Sequence, residues 1–131
     1  AKRKRVAFSA YITEGPNIRA SPNQIVPFNN VLTNTGGAYN NQTGIFTAPF
    51  TGDYFFIVSA DVSANYNQME IRRNNVPTLK ADKDDKVGTH VTGTGILDLV
   101  AGDAVTVTHA SRMGYVEDGR GSTFSGFFLG E

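Results

Sequence analysis

The chain has 131 residues, 40% of them hydrophobic and 18% charged, which is enough for one compact core and too little for two. Twelve basic and twelve acidic side chains cancel to a formal charge of zero, so no whole-molecule field draws the protein toward nucleic acid or an anionic membrane, and recognition has to be local. Cysteine is absent, which removes disulfides, thiol nucleophiles and thiolate metal sites; no apolar run approaches the roughly 20 residues of a membrane-spanning helix, so no membrane insertion is expected.

Residues 1–5, Ala-Lys-Arg-Lys-Arg, form a basic arm. It suits a phosphate or heparin contact, a cut at a basic processing site, or a frayed terminus. The start lacks the apolar core of a signal peptide, and a soluble, processed chain is expected. The globular unit is set at residues 6–131. Val6 to Ile12 alternates as a strand, with Val6, Phe8 and Ala10 on one face. Glu14 to Asn23 carries two prolines and a glycine and reads as a loop. Gln24 to Leu32 is a strand region broken at Pro27, and Thr33 to Gly44 is rich in turn residues. Within it Asn41-Gln42-Thr43 is a sequon that makes Asn41 a glycosylation candidate, although such triplets also arise by chance.

Ile45 to Asp53 reads as a short strand and a turn. Tyr54 to Val62 is nearly continuous in apolarity, which predicts a strand buried on both faces. Gln68 to Arg73 alternates cleanly and ends at a tight Asn74-Asn75 turn; Val87 to Leu99 and Ala104 to His109 are strands separated by Gly102-Asp103. Ser122 to Leu129 closes the chain as a final strand, with Phe124, Gly126 and Phe128 on one face. Short strands at this spacing predict an all-β antiparallel sandwich or jelly roll.

The ordered series Phe28, Asn34, Tyr39, Phe46, Gly52, Tyr54, Phe56, the Gly95 to Val105 stretch with its Gly-Asp turn, and the closing Ser122 to Leu129 together resemble the complement C1q globular-head domain, within the C1q/tumour-necrosis-factor superfamily. The likeness covers Val6 to Leu129. It departs from the family at Val58, where an aromatic is usual, and no collagen-like Gly-X-Y stretch is present in the sequence. The resemblance implies a jelly-roll sandwich of about ten antiparallel strands, a non-covalent homotrimer, an extracellular, secreted setting, and no enzymatic activity. It also implies that Phe28, Tyr54, Phe56, Phe124, Phe127 and Leu129 contribute to the core and trimer contact.

Two segments are candidates for binding. Asp82-Lys83-Asp84-Asp85 gathers three carboxylates that would suit calcium or a solvated charged turn. Arg112 to Gly121 offers a stacking face in Tyr115 and bidentate donors in Arg112 and Arg120, a combination fitted to an acidic, for example sialylated, glycan. In the resembled family the corresponding loop lies near the trimer apex, where some members bind calcium; Glu117 and Asp118 match in kind. No cofactor is required, calcium being the one candidate. His90 and His109 stand alone in sequence, and neither is framed by a Ser/His/Asp order or a paired carboxylate, so no reaction is indicated. The function that fits is a lectin-like or pattern-recognition protein binding surface glycans or microbial ligands in innate immunity, as stalkless invertebrate proteins with this head do. The alternatives are a trimerising head of an extracellular-matrix or biomineral protein and a cytokine-like receptor ligand.

Overall fold

The computed structural model describes residues 4–83 and 88–131, except for the side chains of residues 14–16. Ten strands appear among them: β1 (Ala7–Arg19), β2 (Asn30–Thr35), β3 (Tyr39–Asn40), β4 (Ile45–Thr47), β5 (Gly52–Asp61), β6 (Gln68–Arg73), β7 (Val76–Lys83), β8 (His90–Leu99), β9 (Ala104–His109) and β10 (Tyr115–Gly130). All neighbours are antiparallel, in the order β2-β1-β10-β5-β8-β7-β6-β9-β4-β3. β7 and β8 share only the pairs Asp82↔Thr92 and Lys83↔Val91, and here the sheet folds over from one layer to the other. The result is the all-β jelly-roll sandwich expected from the sequence.

The aromatic series fills the space between the layers. Phe46 of β4 stands 5.2 Å from Phe8 of β1 and 5.2 Å from Phe56 of β5, and Phe8 stacks on Tyr39 at 4.8 Å and meets Phe124 edge-on at 4.9 Å. Edge-on and offset contacts of this kind add to what burial alone contributes. The polar members of the series serve the same core. The Asn34 amide donates to the Tyr39 carbonyl and accepts from the Tyr39 N–H, at 2.8 and 3.2 Å, and the Tyr39 hydroxyl donates to the Phe28 carbonyl at 2.7 Å. Tyr54 does likewise, its hydroxyl donating to the Phe50 carbonyl at 2.7 Å and accepting from the Phe50 N–H at 3.1 Å. Each buried phenol is thereby satisfied, which is the condition for placing a hydroxyl in a core. Val58 is fully buried at its inward position.

Local turn chemistry follows the sequence. Asn74 and Asn75 both take positive φ, +50° and +66°, closing the β6–β7 hairpin as paired left-handed residues require. At the turn before β9, the Asp103 carboxylate accepts from the Val100 N–H at 2.9 Å and from the Asn74 amide at 3.0 Å. Those bonds, the Asn74 contact first, hold its carboxyl below the ordinary carboxylate range.

Three sequence expectations are corrected. The segment from Glu14 is not all loop: β1 runs on to Arg19, and Asn17, Ile18 and Arg19 pair with Glu117, Val116 and Tyr115. Past Tyr11, β1 has lost β2 as a neighbour and becomes an edge, where a proline such as Pro16 is tolerated. The register shifts on either side of Ile12 absorb the extra residues. By the same pairing the final strand begins at Tyr115, not Ser122, so most of the stretch from Arg112 to Gly121 is strand. The third correction concerns β5, which within one chain is closed on one face only. Tyr54, Phe56, Val58 and Ala60 are inaccessible, whereas Phe55, Ile57 and Ser59 are half-buried because nothing among the described residues covers their side of the sheet.

Candidate functional site

The pairing of Asn17–Arg19 with Tyr115–Glu117 builds a cleft that neither segment predicts alone. Its volume is about 380 Å³, and Asn17, Arg19, Asn65, Gly114 and Tyr115 line it. A short turn holds the floor. The Ser63 hydroxyl accepts from the Tyr115 N–H at 2.9 Å and donates to the Asn65 side-chain oxygen at 2.7 Å, while the Ser63 N–H donates to the Tyr115 carbonyl at 2.9 Å. With its oxygen so engaged, the Asn65 amide is left with its N–H groups to offer. Gly114 is needed here: its φ is +87°, and a Cβ would come within 2.3 Å of the Ser63 hydroxyl. The lining holds a guanidinium, two amides and a phenol, and no carboxylate. Such a wall is rich in donors and suits an anionic or polyhydroxylated ligand.

The candidate residues from the sequence are dispersed around this cleft. Tyr115 lines it, half-buried, directly across the strands from Arg19. Arg112 is exposed in the bend before β10. Arg120 stacks instead on Tyr11, its guanidinium 5.7 Å from the ring centroid, so it and Tyr115 do not form one site. Glu117 is exposed opposite Asn17, with Asp118 half-buried beside it. Asp82 lies on β7, where its carboxylate accepts from the Gln68 amide. Asp84 and Asp85 lie outside the described residues, and among the described residues no three His, Cys, Asp or Glu side chains converge as a metal site. Asn41 is exposed in the turn between β3 and β4, its amide donating to the Asn29 carbonyl at 3.1 Å. Of the basic arm, Lys4 pairs with Glu131 and lies 5.2 Å from the Phe50 ring centroid.

The core and contact candidates divide by face. Phe28, Tyr54, Phe56 and Phe124 are closed inside one chain, whereas Phe127 and Leu129 point outward, 43% and 49% exposed. Phe127 pairs with Phe55, their rings 5.5 Å apart, and Phe55 pairs in turn with Ile96, which is 61% exposed. Phe55, Ile57 and Phe127 line an apolar groove that runs on from β5 and β10 to Ala7 and Ser9 of β1.

Neither histidine is isolated in space. His109 is buried, and the Tyr66 hydroxyl lies 2.7 Å from its Nδ1. Burial pushes the imidazole down to about 4, so it is neutral at pH 7 and accepts the hydrogen bond of the phenol, while burial pushes the Tyr66 hydroxyl up. His90 stands between two partners on β5: its Nε2 is 2.6 Å from the Ser59 hydroxyl and its Nδ1 is 2.8 Å from the Asp61 carboxylate. The residues that sequence reasoning missed, Arg19, Asn17, Asn65, Ser59 and Asp61, carry no local signature. The one signal available for Arg19 was the polar-apolar alternation of Asn17-Ile18-Arg19.

Residues 7–129 match the family model described as the C1q domain. The chain is 33% identical over 108 residues to a complement C1q subcomponent of Rattus norvegicus, covering 82% of this chain and 44% of that protein. It is 31% identical over 120 residues to human complement C1q tumor necrosis factor-related protein 3, covering 86% of this chain and 47% of that one. The chain thus spans about half the length of these curated relatives. Among solved structures it superposes on the globular domain of zebrafish complement 1qA with a TM-score of 0.73 at 23% identity, covering 96% of this chain and 98% of the other. The Eiger TNF of S. frugiperda shares the fold at a TM-score of 0.73 and 14% identity, with 98% and 95% covered. The chain belongs to the C1q-domain family, and its strands follow the jelly roll shared with the tumour-necrosis-factor fold.

Proposed function

We propose that the chain is an extracellular recognition module that binds an acidic surface carbohydrate, of microbial or host origin, in the cleft of Asn17, Arg19, Asn65 and Tyr115, and that it works as a homotrimer in innate immunity. The observation that carries the ligand class is the lining itself, donors without a carboxylate, with an arginine and an aromatic ring facing one another across two strands. The guanidinium pairs with a ligand carboxylate and the ring stacks on a sugar face. Secretion follows the family reading. Trimerisation is supported by the apolar groove around Phe55, Ile57 and Phe127, which a single chain leaves half-open. Three clefts on one rigid body then engage a repetitive surface with avidity.

A glycan array probed with the intact protein, with and without calcium, tests the reading. Sialylated or uronic-acid glycans are expected to bind, and Arg19→Ala is expected to weaken them by about tenfold to a hundredfold, the usual loss for a charge-assisted contact. Uniformly blank arrays from an assembled trimer would sink the lectin reading and favour the structural head, for which the apolar groove alone is sufficient. Binding to cells that survives removal of surface glycans would favour a cytokine-like ligand. Dependence on calcium would bring in Glu117 and Asp118, the carboxylates nearest the cleft on β10.

A further inference from the structure

Strand register carries the outward face of β1, β10, β5 and β8 past its apolar row into a charged one. Ala7 lies opposite Phe127, Phe127 opposite Phe55, and Phe55 opposite Ile96, so these four share one row across the sheet. Two residues along a strand the side chains return to the same face. The next row toward the chain ends therefore has Arg5 just ahead of β1, Asp53 on β5 and Asp98 on β8. All three are exposed, and Arg5 lines a cavity of about 350 Å³ together with Ala7 and Phe127, which places it on this face. One side of the row is cationic, and the other carries two carboxylates.

Within one chain these charges go unanswered. Asp53 and Asp98 stand directly opposite one another, an arrangement of like charges that costs stability unless a cation joins it. Among the described residues neither makes an ion pair, and nor does Arg5. The cations nearby are engaged elsewhere: Lys4 pairs with Glu131, and Arg73 donates to the Asp98 main-chain carbonyl at 3.0 Å. Neighbouring strands lie about 4.8 Å apart, which sets Arg5 roughly 10 Å from Asp53 and roughly 14 Å from Asp98 across the sheet. The same order of signs recurs at the other end of the face, where Arg120 lies over Tyr11 of β1 and Asp61 of β5 stands opposite His90 of β8.

We propose that this face meets a second copy of the chain in one register, in which Arg5 of each copy is received by Asp53 and Asp98 of the next. The pairing rests on the homotrimer reading and adds the orientation of its contacts. In a ring of three every contact is heterologous, one part of a face meeting a different part of the next copy. Setting the β1 side of one copy against the β5 and β8 side of the next brings opposite charges together at both ends and covers the apolar row between them. Contact between like sides would put cation on cation, or two carboxylate pairs together. The apolar row thus supplies attraction without direction, and the charged row supplies the register.

Sedimentation equilibrium of the intact protein tests the pairing. Arg5→Glu, and Asp53→Lys combined with Asp98→Lys, are each expected to raise the concentration for half-assembly at least tenfold. All three changes together invert both signs and are expected to return it to within about threefold of the wild type. The lysine pair keeps the like-charge opposition of the aspartates, so its urea midpoint serves as the control for folding. Raising the salt from about 0.05 to about 0.5 M is expected to weaken wild-type assembly, because the screening length falls below the width of the sheet. Assembly that neither reversal weakens would overturn the pairing and leave the homotrimer standing, as would a triple variant no better assembled than the two reversals. A wild type that stays monomeric at every concentration would overturn both.

Discussion

The two faces of β5 differ more than two neighbouring residues in a sequence suggest. Phe56 is enclosed by Phe8, Phe46, Tyr54 and Phe124, whereas Phe55, one residue earlier, meets Phe127 and then solvent. Both are phenylalanines in the same strand, and only the pleat separates them. The inward face is a finished core and the outward face an unfinished one. The outward face is itself divided: its apolar part, Phe55, Ile57 and Phe127, gives way along β5 to Ser59, His90 and Asp61. One side of the strand supplies the core, and the other leaves apolar and polar groups only half-covered.

Breaking the inward face has the largest effect. Phe56→Ala is expected to cost about 3–5 kcal/mol in urea unfolding, the range for emptying a buried aromatic site, and Phe55→Ala only about 1 kcal/mol. Equal losses would mean that both faces are closed in solution and would erase the contrast. Next in size is acid sensitivity of the interior. Burial holds His109 at about 4 against an ordinary value of 6.5. Between those values the unfolded chain takes up a proton that the folded chain refuses. Stability is therefore full above pH 6.5 and falls as pH drops, by roughly 3 kcal/mol at pH 4. Urea midpoints at pH 7 and pH 4 should converge in His109→Gln, whose side chain does not titrate. The smallest effect on folding belongs to Phe127→Glu, about 1 kcal/mol or less at an exposed position. That variant should nonetheless sediment as a monomer at concentrations where the wild type is expected to sediment as a trimer. A wild-type monomer would show that the outward face has another use.

The parts of the fold legible in the sequence are those decided by neighbours along the chain. Alternation located β1 as far as Ile12 and β6, Asn74-Asn75 and Gly102-Asp103 marked turns, and the aromatic series marked the core. Less was legible where two poor segments support each other. Residues 14–23 and 112–121 each read as loop by their glycines, prolines and charges, yet Asn17–Arg19 and Tyr115–Glu117 are strand because each supplies the other's hydrogen bonds. The candidate cleft was legible only in Tyr115, and Arg120, its expected companion, went to Tyr11 instead.

By itself the sequence determined the jelly roll, because the period of two and the placement of Phe28, Tyr39, Phe46, Tyr54, Phe56 and Phe124 specify which side chains must leave water. The tertiary structure alone decided which polar groups meet. Arg19 reaches Tyr115, and His90 reaches Ser59 and Asp61, through strand register across long sequence separations, and register is a property of paired backbones that no single segment encodes.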